Sequence, residues 1–153
     1  KAIGFKTPLE DRGKDTLEAI FKDKYIQGVK PLIINFYCQY STYNENKDTT
    51  ADNLLVFHFR RVGVLGLGKV DPSLFLKAFE LGAHGVLVTA CKDDTCHFCK
   101  EKEWIERRTK FTTQILSGVG MDIRRFRTHF IPSQNGKEII EIAFNMVEEL
   151  RHL

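Results

Sequence analysis

Residues 71–91, DPSLFLKAFELGAHGVLVTAC, hold a helix start, a helix stop and a buried strand in direct succession. Asp71 is a good N-cap and Pro72 suits the first helical position, where its missing N–H costs nothing. Leu74, Phe75, Ala78 and Phe79 then recur at helical spacing up to Gly82, a C-terminal stop. Gly85–Cys91 is a short, almost wholly apolar run, which reads as a strand covered on both faces. A helix that delivers the chain straight into such a strand is half of a strand–helix–strand unit.

The same alternation extends both ways. Upstream, Pro31–Cys38 (PLIINFYC) and Leu54–Val62 (LLVFHFRRV) read as strands, with Gly63–Gly68 as a glycine-rich turn and a short helix near Asp48–Asn53. Downstream, Lys100–Leu116 reads as an amphipathic helix with Trp104, Ile105, Phe111 and Ile115 inward. Arg125–Ile131 reads as a fourth strand, and Gly136–Leu150 as a final helix with Ile139, Ile140, Ile142, Ala143, Met146 and Val147 inward. A helix from Leu9 to about Ile26 precedes them all, stopped by Gly28 and Pro31. Strand and helix alternate, the signature of an α/β domain with a mostly parallel four-stranded sheet and helices on both faces. The expected organisation is an N-terminal helical extension over 1–30 and one domain over 31–153.

The whole chain has 153 residues, 42% apolar and 28% charged, enough for one well-filled core. A net charge of +3 is too small to imply nucleic acid, which needs a clustered basic face. No apolar run approaches the ~18 residues of a membrane span, and no signal peptide opens the chain, so a cytoplasmic protein is expected. It opens on Lys1, which reads as a missing start or a piece of a longer polypeptide.

Reduced cytosolic thiols point away from disulfides, so the spacing of the four cysteines matters. Cys38 ends the first predicted strand and Cys91 the third, while Cys96 and Cys99 follow in a polar loop, CKDDTCHFC. In parallel sheets ligands collect at the carboxyl ends of strands, so all four thiols can converge at one edge. Cys-x4-Cys-x2-Cys with a distant fourth cysteine is a spacing of [2Fe–2S] proteins, because four thiolates must surround a compact inorganic core. Zinc is the rival: Cys96 and Cys99 form a C-x2-C knuckle beside His97. A redox dithiol is a third reading. Gly66-x-Gly68 lacks the full nucleotide pattern and reads as a tight turn before a capped helix. His58 and His129 fall in predicted strands and read as core or surface histidines.

Several motifs in order resemble the delta subunit family of methyl-viologen-reducing hydrogenases over about residues 31–131. Phe36, Cys38, Gln39, Tyr40 and Tyr43 lie on its first cysteine segment, and Gly68, Lys69, Asp71 and Pro72 on its turn. AFELGAHGVLV (78–88) is close to its helix-to-strand passage. Cys91, Cys96, His97 and Phe98 match its cysteine loop, and Arg107 and Arg108 its arginine pair. The resemblance implies a small α/β protein holding one [2Fe–2S] cluster. Such a protein links a hydrogenase or formate dehydrogenase to the flavin subunit of heterodisulfide reductase, where electrons enter for bifurcation. It implies a relay, not a site of substrate chemistry. The chain departs from the family pattern at Tyr37, Ser41 and Gly66, where the family has cysteines. The implied ligand set is therefore Cys38, Cys91 and Cys96, with Cys99 as a replacement. The alternative is a zinc-stapled or cluster-free structural adaptor between redox subunits.

Cations near a four-thiolate cluster stabilise its negative charge; Lys92, Lys100, Arg107 and Arg108 are the candidates by position. Phe36, Tyr37, Tyr40 and Phe98 flank the ligands and either exclude water from them or simply pack. Arg124, Arg125 and Arg127 form an exposed strand edge or a docking patch.

Overall fold

The strand LIINFYC, now β1 (Leu32–Cys38), is buried at all seven positions, so it must lie inside a sheet covered on both sides. The computed structural model, which describes residues 9–22, 30–39, 57–92, 101–131 and 136–152, places it there. The elements in chain order are α1 (Leu9–Lys22), β1, β2 (His58–Val64), a 3-10 turn at Leu67–Lys69 and α2 (Pro72–Leu81). β3 (Gly85–Cys91), α3 (Glu101–Gly118), a second 3-10 turn at Ile123–Arg125, β4 (Phe126–Ile131) and α4 (Gly136–Leu150) follow. The sheet order is β2-β1-β3-β4, and every pair is parallel. β1 and β3 are central, while the edge strands β2 and β4 are only partly buried.

Register decides which side chains share a face, since alternate residues point to opposite sides. Phe36 stands level with Val62 and Val88, and Cys38 with Val64. That face meets Leu17 of α1, Leu74, Phe75 and Ala78 of α2, and Ile105 and Leu116 of α3 in the larger core. Phe36 meets Phe75 edge-on at 5.0 Å between ring centres, and Phe75 meets Phe126 at 5.5 Å. The opposite face carries Ile33, Leu87 and Ile131 against Ile139, Ala143, Met146 and Val147 of α4. Gly85 lets α4 approach: a Cβ there would stand 2.8 Å from both Ile33 Cδ1 and Met146 Cε.

The expected helix boundaries around residue 71 hold. Asp71 accepts from Ser73 N–H at 2.8 Å, and Gly82 closes α2 with φ 117°, a left-handed conformation only glycine adopts freely. Two expectations need correction. The second strand runs on to Val64, so Gly63 is strand and the turn begins at Leu65. Pairing with β1 carries it further, ending with Gln39 N–H donating to Val64 O at 2.8 Å. The inward face of α3 is also rotated from the one the apolar residues suggest. Ile105, Thr109, Thr112 and Leu116 are buried, whereas Trp104 and Phe111 are exposed. The two threonines can be buried because their hydroxyls donate to the carbonyls of Ile105 and Arg108 at 2.9 Å, leaving the methyl groups to pack. The short helix expected near Asp48–Asn53, the start of the second strand at Leu54 and the end of the first helix past Lys22 lie outside the described residues.

At the amino edge, His84 ties β1 to β3. Its Nδ1 accepts from Leu32 N–H at 3.0 Å, and its backbone N–H donates to Leu32 O at 2.9 Å. Burial, with Arg125 nearby, lowers the pKa of this imidazole below its ordinary 6.5. The neutral ring is therefore the native form. Its contribution to stability is present above the ordinary histidine value and is lost as pH falls through the lower folded value. His84→Ala should cost about 1–3 kcal/mol at pH 7.5 by orphaning Leu32 N–H. His84→Asn, which keeps an acceptor, should lose less and should flatten the pH dependence of denaturant midpoints between pH 7.5 and 5.

Candidate cofactor site at the carboxyl edge

Cys38 is the last residue of β1 and Cys91 the last of β3, so the two thiols end neighbouring strands at the same edge of the sheet. They leave it on opposite faces. Cys38 is level with Val64 on the larger-core face, and Cys91 is level with Ile131 on the α4 face. Cys38 is 9% exposed and Cys91 partly buried. Cys96, His97, Phe98, Cys99 and Lys100 lie outside the described residues, as do Tyr40 and Ser41. Among the described residues, no three metal-ligating side chains gather into one group.

On the Cys38 face the site is built by a turn and a helix start. The Cys38 thiol donates to Leu65 O at 3.6 Å, so it lies against the turn that follows β2. The first turns of α3 grip that turn from outside. Arg108 Nε donates to Gly68 O at 2.6 Å, and Gly68 N–H points to Glu101 Oε2 at 3.5 Å. Glu101 also fills the space at Gly66, where a Cβ would stand 2.9 Å from Oε1. A larger residue at 66 therefore requires this carboxylate to swing away. The absence of a side chain at 66 and the presence of Glu101 there are one structural fact. β1 lies between β3 and β2, so Cys91, at the end of β3, and Glu101, against the turn that follows β2, fall on either side of β1. The Gly66-x-Gly68 stretch is the tight turn expected, since Gly68 N–H is directed at Glu101.

On the Cys91 face, a buried polar network runs across the sheet. Asn35, fully buried, donates through Nδ2 to Leu87 O and Thr89 Oγ1, both at 3.0 Å. Its Oδ1 accepts from Arg61 Nε at 2.8 Å, and the Arg61 guanidinium lies 3.9 Å from the Tyr37 ring centre. A cation held between a buried amide oxygen and a ring face is a fixed local charge. Cys91 stands two residues beyond Thr89 on the same face. Sequence reasoning missed Arg61, Asn35 and Thr89. The available signal was an amide inside the apolar run LIINFYC, which must find partners once buried.

The other proposed supporting groups divide. Arg108 is at the edge, committed to Gly68 O. Arg107 points outward, its guanidinium 5.5 Å from the Trp104 ring centre. Lys92 is exposed at the end of β3. Phe36 is core packing against Phe75, whereas Tyr37 is the stacking partner of Arg61. Two of the three arginines of the basic cluster at the start of β4 are paired. Arg124 forms a fork with Asp122 at 2.8 and 3.0 Å, holding that exposed carboxyl down to about 2, and Arg127 pairs with Glu149. His129 is a half-buried strand residue whose pKa burial lowers.

An all-parallel α/β sheet with two cysteines ending adjacent strands defines a class: a small α/β domain of the kind in which ligands collect at the carboxyl edge of the sheet. The family model described as "Methyl-viologen-reducing hydrogenase, delta subunit" matches residues 33–153, and the chain belongs to that family. Among curated relatives, it is 29% identical over 118 residues to the iron-sulfur subunit of the vhc F420-non-reducing hydrogenase of Methanococcus voltae, covering 76% of this chain and 81% of that protein. It is 27% identical over 126 residues to the corresponding iron-sulfur subunit of the vhu hydrogenase of Methanococcus maripaludis, covering 81% of this chain and 93% of that protein. It is also 26% identical over 125 residues to one subunit of the ferredoxin/F(420)H(2)-dependent CoB-CoM heterodisulfide reductase of Methanosarcina acetivorans. That match covers 80% of this chain but only 16% of the length of the reductase polypeptide.

The grip of α3 on the turn can be measured without any metal. Arg108→Ala should lower stability by about 1.5–3 kcal/mol, the scale of a charge-assisted hydrogen bond. It should also speed alkylation of Cys38 in metal-free protein, followed by mass spectrometry, because the turn that sets Leu65 O against the thiol would lose its anchor at Gly68. An unchanged alkylation rate would mean that the turn holds its place without Arg108.

Proposed function

We propose that this chain is a cytoplasmic electron-transfer subunit with one [2Fe–2S] cluster held by Cys38, Cys91, Cys96 and Cys99. It relays electrons between a hydrogenase- or formate-dehydrogenase-type partner and a heterodisulfide-reductase-type flavin subunit in an electron-bifurcating complex. The observation that carries this reading is the placing of Cys38 and Cys91 at the ends of adjacent strands, with Cys-x4-Cys-x2-Cys beginning at the second of them. Two thiols that leave the sheet on opposite faces suit a group seated over the edge better than one lying against either face. Four thiolates supply an all-sulfur ligand set of the kind such clusters use. When bound, the cluster would supply one-electron chemistry. The protein's own part is to fix the thiols, exclude water and balance charge. Arg108 on one face and Arg61 on the other bring cations toward that edge, and cations favour the more negative, reduced form of a thiolate cluster.

The partner reading draws on the relatives' names, which are those of hydrogenase iron-sulfur subunits for some and of heterodisulfide reductase subunits for others. In the latter this domain is a small part of a much longer chain. A relay close to its acceptor is consistent with both arrangements, because electron tunnelling falls steeply with distance.

Metal and acid-labile sulfide analysis tests the cluster. Anaerobically purified protein should contain roughly two iron and two sulfide per chain. Four iron would keep the relay and change the cluster, whereas stoichiometric zinc would favour the stapled adaptor. Cys99→Ser should bleach or shift the visible spectrum as Cys91→Ser does. If only Cys99→Ser leaves it intact, His97 is the next ligand to replace.

A further inference from the structure

We propose that the outer face of α3, built on Trp104, Arg107 and Phe111, is the surface by which this domain docks on its heterodisulfide-reductase-like flavoprotein partner. The matching surface on the partner is an apolar groove flanked by carboxylates. The inference rests on the partner reading above and adds to it the face used and the chemistry that recognises it.

Trp104 and Phe111 are 54% and 51% exposed, far more than a core would leave large aromatic side chains. They are seven residues apart on one helix, so they stand on the same face about 10 Å from each other. Ile115, partly buried, continues the line, and Gly118 ends it with no atom within 4 Å of where its Cβ would be. The core is served by a different side of the helix, through Ile105, Thr109, Thr112 and Leu116. The aromatic line is therefore surplus to folding. Exposed aromatics in a continuous row mark a contact surface, and Trp, Phe and Arg are the types enriched in the buried centres of interfaces.

Charge selects the occupant. Arg107 and Arg108 flank the line on the helical wheel, and Arg107 stacks on Trp104. Arg108 is held by Gly68 O, so Arg107 is the guanidinium beside the line that a partner can meet; Lys102 and Lys110 are exposed cations elsewhere on α3, and Glu103 and Glu106 exposed carboxylates. A partner groove lined with carboxylates would pair with it, whereas a second copy would bring another Arg107 to the same apolar line. Area points the same way. One face of an 18-residue helix falls short of the ~800 Å² per partner of a standard interface. The missing area is available at the carboxyl edge, which is continuous with this face. Glu101 lies against Gly66 and Gly68, and Trp104 is one helical turn further on. A partner that takes electrons at the edge can rest on α3 in the same contact. In the Methanosarcina relative the matching stretch makes up 16% of a reductase polypeptide, so there it sits beside such a body covalently.

The test uses the full chain co-expressed with the heterodisulfide-reductase-like flavoprotein from the same source, with affinity measured by interferometry and cluster content by absorption. The wild type should bind. Trp104→Ala with Phe111→Ala should weaken binding about tenfold or more. Arg107→Glu, a surface change that leaves folding intact, should weaken it similarly and remove much of its salt dependence. Phe144→Ala, at a residue 43% exposed on α4, should change nothing. If the wild type does not bind, the partner reading fails and takes this inference with it. If the wild type binds and both α3 variants bind equally well, the partner reading stands and the α3 face is wrong. Self-association of the chain, abolished by the same variants, would make a second copy the occupant and overturn the proposal.

Discussion

The complete burial of β1 is the constraint on which the rest of this structure depends. A seven-residue strand with no exposed position needs a neighbour on each side and a helical layer above and below. Its apolar residues meet that demand on both faces: Ile34 and Phe36 go to the larger core, Ile33 to the α4 side. The exception is Asn35, whose amide is as buried as its neighbours. It is tolerated because every direction it presents is met, by Leu87 O, Thr89 and Arg61. In this way the strand that organises the core also positions a cation in the sheet.

The same strand explains the geometry of the thiols. Parallel strands end together, so Cys38 and Cys91 share an edge, but the two-residue alternation of side chains sends them to opposite sides. A group bound by both thiols would therefore sit over the edge and not on either face. Around Cys38 the edge is shaped by a turn that α3 holds through Glu101 and Arg108. Glycine at 66 leaves room for the Glu101 carboxylate, whose Oε1 stands 2.9 Å from where a Cβ would be.

α3 shows how hydrogen bonding overrides hydropathy in choosing a buried face. Threonine hydroxyls that bond within the helix present methyl groups to the core, which frees Trp104 and Phe111 to face outward. One side of the helix completes the larger core, and the other is left with aromatic side chains that the core does not use.

The order of elements, the boundaries around Asp71 and Gly82 and the parallel character of the sheet were legible in the sequence. Each depends on local chemistry: a capping carboxylate, a glycine at positive φ, short apolar runs between helices. The placing of two cysteines at strand ends was legible for the same reason. What only the tertiary structure decided are the relations between residues far apart in the chain. That Arg61 reaches Asn35, that Glu101 fills the space at Gly66, and that Thr109 rather than Phe111 faces the core depend on strand register and on the rotation of α3. Those are set by how whole elements pack, and packing sums over many partners that no local stretch of sequence contains.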